Sequence, residues 1–313
     1  MYRLIAAFCL LIAAGPVRAD AIDDARAALV AQNNNDLDGA IRLYTQAIQS
    51  HELNTRFLAI AYYNRGNVHF VAGDYRSAIT DYDSAAVIKP DYAQAHNNQG
   101  NAYVALNAYQ DALAAFDAAI RIKADYALAY KNRGNAHTAA GFFELAIADY
   151  DLAVGFDPDL AKAFNNRANA NYFLGRYPQA LEDYEAALEI DPFDIYSMLW
   201  RYFAADAGGH GQAGRAALLS RLYDVEPDHW PAVAARHLLG RATAEEVLAE
   251  IDAAGPVERA GRRCEAYFYL AQARLIAGDR PGARRLFEDA VATGVVRFVE
   301  YIGATVALKR LSQ

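Results

Sequence analysis

A zinc site, an activated nucleophile and a phosphate-cradling loop each need particular residue types at particular spacings, and the 313-residue chain can be tested for each. Its seven histidines are the first candidates for metal. His51-Glu52 opens like a zinc-protease helix but lacks the second histidine of that motif. His210, His229 and His237 have no ligand spacing with one another or with Cys264. His69 and His137 occupy equivalent places in a repeat and read as packing residues. Gly208 to Gly214 is rich in glycine but lacks the Gly-Lys-Ser/Thr that holds phosphate. Asp81 with Asp83, or Glu182 with Glu185, could be an acid–base pair. They recur along the chain, which marks solvated outer faces rather than one catalytic centre. The expectation is no catalytic residue, no metal and no cofactor.

Composition is that of a globular protein, with 54% hydrophobic and 22% charged residues. The net charge of -8 speaks against a nucleic-acid surface. The N-terminus reads as an export signal over 1–19: Arg3 supplies the positive end, Leu4 to Ala14 an apolar run too short to span a bilayer comfortably, and Gly15-Pro16 a break. The rival reading is an uncleaved membrane anchor. Cys9 stands too early for a lipid-modified cleavage point. A periplasmic chain without a membrane span is therefore expected, beginning at Asp20 or Ile22. Only Cys264 would survive in it, so no internal disulfide can form.

What must position any site is a repeat. Asn64-Arg65-Gly66-Asn67, Asn98-Gln99-Gly100-Asn101, Asn132-Arg133-Gly134-Asn135 and Asn166-Arg167-Ala168-Asn169 are each 34 residues apart. Ala78, Ala112, Ala146 and Ala180 keep the same interval, as do Tyr82, Phe116, Tyr150 and Tyr184. Pro90, Pro158 and Pro192 close three units, since proline cannot continue a helix. Small residues such as Gly66 and Ala78 let two helices approach, and turns fall near Gly73, Asn107, Gly141 and Gly175. One helical hairpin cannot bury its apolar face, so the units must stack.

This pattern resembles the tetratricopeptide repeat. The resemblance implies an all-α, right-handed superhelical solenoid of antiparallel helix pairs. Its boundaries are N-terminal helices or a degenerate repeat over 20–58, four repeats over 59–194, degenerate helical pairs over 195–263, and a repeat plus a capping helix over 264–313. The last helix, from about Val296 to Leu311, is expected to cover the open end. The C-terminal part, with Trp230, Leu239-Gly240, Thr243 to Leu248, Tyr267 to Leu270, Phe287 and Phe298-Val299-Glu300, resembles the NlpI outer-membrane lipoprotein family. That likeness implies an adaptor for periplasmic proteases and cell-wall hydrolases, and a homodimer; the contact is expected at the N-terminal helix around Ile22 to Val30, which is rich in apolar residues and has no preceding repeat to cover it. Two departures are the missing lipoprotein cleavage motif and the extra repeat at 161–194.

In such a superhelix the first helix of each unit lines a concave groove. Counting from Gly66 places Asn64, Asn67, Asn97, Asn98, Asn101, Lys131, Asn132, Asn135, Asn165, Asn166, Asn169 and Tyr172 there, with Tyr63 and Phe70 beside them. An asparagine amide donates and accepts, and can hold a peptide backbone by both edges. The same amides can equally tie neighbouring helices, and both readings stand for each one. Lys131, Asn135 and Asn166 match three places of a five-residue clamp for chain-terminal carboxylates. The two that should be basic are Tyr196 and Trp200. The expected function is an exported adaptor that binds a protein or peptide segment in its groove. The alternative is a structural subunit of an envelope export or polysaccharide-secretion assembly.

Overall fold

A computed structural model describes residues 19–223, 230–256 and 258–313. Residues 1–18, with the export signal, Arg3 and Cys9, and residues 224–229, with His229, lie outside the described residues. Among the described residues there are seventeen α-helices and no strand. They form two compact units that part between Ala124 and Asp125.

The first unit holds α1 (Ala19–Asn33), α2 (Leu37–Gln49), α3 (Thr55–Val71), α4 (Tyr75–Ile88), α5 (Ala93–Ala105) and α6 (Tyr109–Ile122). The second holds α7 (Ala127–Ala139), α8 (Phe143–Phe156), α9 (Ala161–Phe173), α10 (Tyr177–Ile190), α11 (Ile195–Ala207), α12 (Gly211–Leu222), α13 (Ala232–Leu238), α14 (Ala244–Ala253), α15 (Arg259–Ile276), α16 (Arg280–Ala292) and α17 (Val299–Leu311). Consecutive helices pack as pairs, and within each unit the pairs stack on one another.

The repeat columns explain the pairing. The turn between the two helices of a unit needs a left-handed residue, supplied by Gly73, Gly141 and Gly175 at φ near 80° and by Asn107 at φ 59°. Asparagine is the side chain that best tolerates that region. At Gly66, Gly100 and Gly134 an added Cβ would come within 2.8, 2.5 and 2.6 Å of the buried rings of Tyr82, Phe116 and Tyr150. The missing side chain is what seats each ring against the first helix.

Asp81 differs from the expectation of a solvated face. It is buried, as are Asp149 and Asp183. Arg65 grips Asp81 with two bonds, Nε to Oδ2 at 2.8 Å and Nη2 to Oδ1 at 2.7 Å. Arg133 grips Asp149 and Arg167 grips Asp183 in the same way. The physical reason is the desolvation of a carboxylate on the inner side of the second helix, which only a forked guanidinium one helix away can offset. Burial pushes the Asp183 carboxyl up, with Arg167 pulling against it. Glu182 is exposed, and Glu185 is shared between Arg201 and Arg221.

In the degenerate region α11 begins at Ile195, one turn before the sequence reading, and α14 is capped by a reciprocal Thr243–Glu246 box. The last helix also differs from a simple end cover. α17 packs along α16 and α15 and reaches back to α9. Arg310 Nη2 donates to the Tyr172 and Phe173 carbonyls at 3.0 and 2.9 Å. Glu300, at the start of α17, accepts from Tyr269 Oη at 2.9 Å and from Trp200 Nε1 at 3.3 Å. A Cβ on Gly303 would meet Phe268 and Trp200 at 2.8 Å, so α17 is seated closely on both rings.

Candidate functional site

The candidate residues sit on the first helices of their units. Each first helix is anchored by its neighbours in the stack, and the asparagines lie along the sides that meet them. Their amides form a regular pattern. The Asn67 oxygen accepts from Tyr82 Oη at 2.8 Å, on the second helix of its own unit, and from Asn98 Nδ2 at 2.9 Å, on the next unit. Asn135 repeats this with Tyr150 Oη at 2.9 Å and Asn166 Nδ2 at 2.7 Å. Asn169 takes Tyr184 Oη at 2.6 Å and itself donates to Asn165, which bonds Ser197. Phe116 lacks the hydroxyl, so Asn101 has no such partner on α6.

These bonds decide what each amide has left. Both N–H groups of Asn98 are used, one on Asn67 and one on Tyr63 Oη, and its oxygen accepts from Asn97. Asn98 therefore ties α5 to α3, and Asn166 ties α9 to α7. Asn97, Asn169 and Tyr172 are buried. Enclosed by the chain itself, they offer no open edge, which differs from the exposed groove positions read from the sequence. Asn64, Asn101, Asn132 and Asn165 are partly exposed. Replacing Asn98 or Asn166 by Ala is expected to lower stability by about 1 kcal/mol each, the net worth of a hydrogen bond. A thermal melt followed by circular dichroism reads this. An unchanged melt would return these two to ligand contact alone.

Lys131 stands apart. It makes no ion pair or hydrogen bond among the described residues, and burial, with Lys162 adding like charge, pulls its ammonium down to about 8. Asn135 lies one turn on, and its Nδ2 donates to no described residue while its oxygen is held twice. A half-buried cation with no counter-charge, one turn from an open amide N–H, has the chemistry of a site for a carboxylate or a carbonyl.

The clamp positions that follow are closed. Trp200 is buried and donates to Glu300, and Tyr196 Oη donates to Glu265 Oε2 at 3.4 Å. Both serve the docking of α15 and α17, so no second basic arm opposes Lys131 from α11. The sequence reading missed this use because it depends on a helix about a hundred residues away.

Among the described residues no three His, Cys, Asp or Glu side chains lie close enough to share a metal ion, and no helix is long and apolar enough to cross a membrane. His69 and His137 sit 3.9 and 3.6 Å from Asp81 and Asp149, inside their units. Cys264 is buried and its thiol is pushed up to about 12, which keeps it protonated and unreactive.

Models of the tetratricopeptide repeat match residues 161–194 and, over longer overlapping windows, 25–93, 63–127 and 97–161. Together these span more than half of the chain. A tetratricopeptide repeat protein from Parabacteroides merdae ATCC 43184 superposes with a TM-score of 0.61 at 15% identity, covering 95% of this chain and 100% of its own. PilW, a type IV pilus biogenesis factor, gives 0.59 at 21% identity over 69% of this chain and 97% of its own. MamA from Desulfovibrio magneticus RS-1 gives 0.50 at 19% over 56% and 98%. At these identities the likeness is one of fold. No curated protein sequence matches the chain.

Proposed function

The chain belongs to the tetratricopeptide-repeat family, and from that premise we propose that it is an adaptor whose inner helix face takes an acidic segment of a partner protein at Lys131. The fold is a scaffold for binding protein or peptide segments. Lys131 carries the finer reading: its charge is desolvated and unbalanced, so a partner carboxylate would offset a cost that the chain alone leaves standing. Asn135 Nδ2, one turn on, would add a hydrogen bond to the same segment. The N-terminal signal pattern and the likeness of the C-terminal part to the NlpI family support an exported adaptor for envelope proteases or cell-wall hydrolases, working as a homodimer.

A structural role in an export assembly is the second reading, favoured by the fold shared with a pilus biogenesis factor. In the homodimer reading the contact would be α1, where Val30 is exposed while Ala21 and Ala28 are consumed by the core of the first unit.

The test of the site is a charge reversal. Lys131→Glu is expected to weaken binding of a labelled peptide bearing aspartate and glutamate at least tenfold, about 1.4 kcal/mol. Fluorescence anisotropy measures it. Equal affinity of the unaltered protein for the acidic peptide and for a lysine-bearing one would sink the reading.

A further inference from the structure

A helix apolar on every side belongs in an interior, because a water-facing side is ordinarily polar. α8 breaks this rule. Its inner side packs Ala146, Tyr150 and Ala153 into the core of the second unit. Its outer side carries Leu145 at 54% exposure and Leu152 at 44%, flanked by Phe156 at 46%, one face of which stacks on Tyr130, and by Phe142 at 57%, edge-on to His137 just before the first turn. Ala148 and Gly155 complete the stripe at helical spacing.

The other repeats give the comparison. Leu145 stands where α4, α6 and α10 have Ser77, Asp111 and Gln179. Phe142 replaces Asp74, Ala108 and Arg176, and Leu152 replaces Ser84, Ala118 and Ala186. The repeat therefore does not need apolar groups at these three places, whereas Phe156 follows Ile88, Ile122 and Ile190. Gly155 is equally out of place. Its equivalents are Val87, Arg121 and Glu189, and an added Cβ would meet nothing in this chain. Glycine is a poor helix former, so a glycine with open space above it, between two exposed apolar side chains, fits the close approach of another backbone.

We propose that the outer face of α8 is a second docking surface, which takes a basic amphipathic helix of a partner protein. Charge picks this occupant. Glu144 and Asp151 edge the stripe, and Asp157 and Asp159 follow its end; Arg176 pairs with Glu144, and Arg167 is divided between Asp151 and the buried Asp183, which leaves the rim acidic. A second copy of the same face would set carboxylates against carboxylates, and an anionic bilayer would be repelled. Lysines or arginines flanking a leucine-rich stripe match both the centre and the rim.

The test uses the whole chain and a fluorescein-labelled helical peptide of leucine and lysine, about 18 residues long so that it spans the face. A peptide with glutamate in place of lysine is the control. The protein should bind the leucine–lysine peptide at least tenfold tighter than the control. Leu145→Gln with Leu152→Gln, which leaves every charge in place, should lose at least tenfold in affinity. Gly155→Arg should lose as much, and it keeps the fold because α6 carries Arg121 at that place. Lys131→Glu should bind as the unaltered protein does, which separates this face from the inner one. Equal binding by the leucine-to-glutamine variant would overturn the proposal. So would a dimer in sedimentation that this variant dissolves, since the occupant would then be a second copy.

Discussion

Asp149→Ala is expected to lower the melting midpoint of the chain by on the order of 10 °C, read by circular dichroism or calorimetry. Asp149 is buried, and Arg133 binds it through Nε and Nη2. Removing the carboxylate leaves a guanidinium in the interior without its forked acceptor. Breaking a fully buried pair costs about 3–5 kcal/mol, and here, with the Arg133 side chain 22% exposed, the loss should fall at the lower end of that range. The ring of Tyr130, 5.4 Å from the guanidinium carbon, recovers little of it. The informative step is the double change Arg133→Gln with Asp149→Ala. The second repeat already holds this combination, as Gln99 and Ala115 at the equivalent places. The double variant should therefore recover most of the lost midpoint. If it melts as low as Asp149→Ala alone, the pair is not what sets the cost. The cost would then lie with the cavity left by the carboxylate, or with His137, whose Nε2 is 3.6 Å from Asp149.

That pairing was written in the sequence. Arg65, Arg133 and Arg167 stand 16 residues before Asp81, Asp149 and Asp183, and where arginine gives way to Gln99 the acid gives way to Ala115. Reading columns one at a time hides it, because acids on second helices look like a solvated face until the arginine column is set beside them. The helices, turns and buried rings were legible because each depends on contacts within one unit or its neighbour, and the 34-residue interval repeats those contacts. The place of α17 was not. Glu300 reaches Trp200 across a hundred residues, and nothing periodic announces a contact made once. The asparagines lie between these cases. Their positions were legible, but the sequence could not say which edge of an amide is spent on a neighbouring helix. Asn98 spends both N–H groups on α3, whereas those of Asn135 bond no described residue. The exposure of α8 was hidden for a related reason. An apolar helix reads as core, and only packing reveals that Leu145 and Leu152 on its outer side stay open while Phe156 stacks on Tyr130.

Glu300 gives the last expected result, a loss of stability as pH rises from the acid range to neutrality. Its carboxyl is buried at the base of α17, with Trp200 Nε1 and Tyr269 Oη as donors. The groups around it are Glu265, Tyr196, Tyr184, Tyr269 and Cys264, none of them cationic. Arg310, on the same helix, is turned to the α9 carbonyls. Desolvation, with Glu265 adding like charge, pushes the Glu300 carboxyl up to about 7. The folded chain thus holds this proton at pH values where the unfolded chain has released it. Between the ordinary carboxylate range and about 7 the folded state binds more protons, so stability falls with rising pH; above that window the loss is complete. The slope is about 1.4 kcal/mol per pH unit at most. Burial also raises Asp183, Asp206 and Glu265, which act in the same direction. Lys131, drawn down to about 8, acts oppositely but only at higher pH, where the unfolded chain keeps a proton that the folded one sheds. Glu300→Gln isolates the one group, because it keeps the shape and one acceptor for Trp200 and Tyr269 while removing the titration. Urea melts of both proteins should show the variant gaining on the unaltered chain between pH 5 and pH 8, by on the order of 2–3 kcal/mol. A stability difference that stays constant over that range would mean that Glu300 carries its charge in the folded state at acid pH, and that its two donors outweigh its burial.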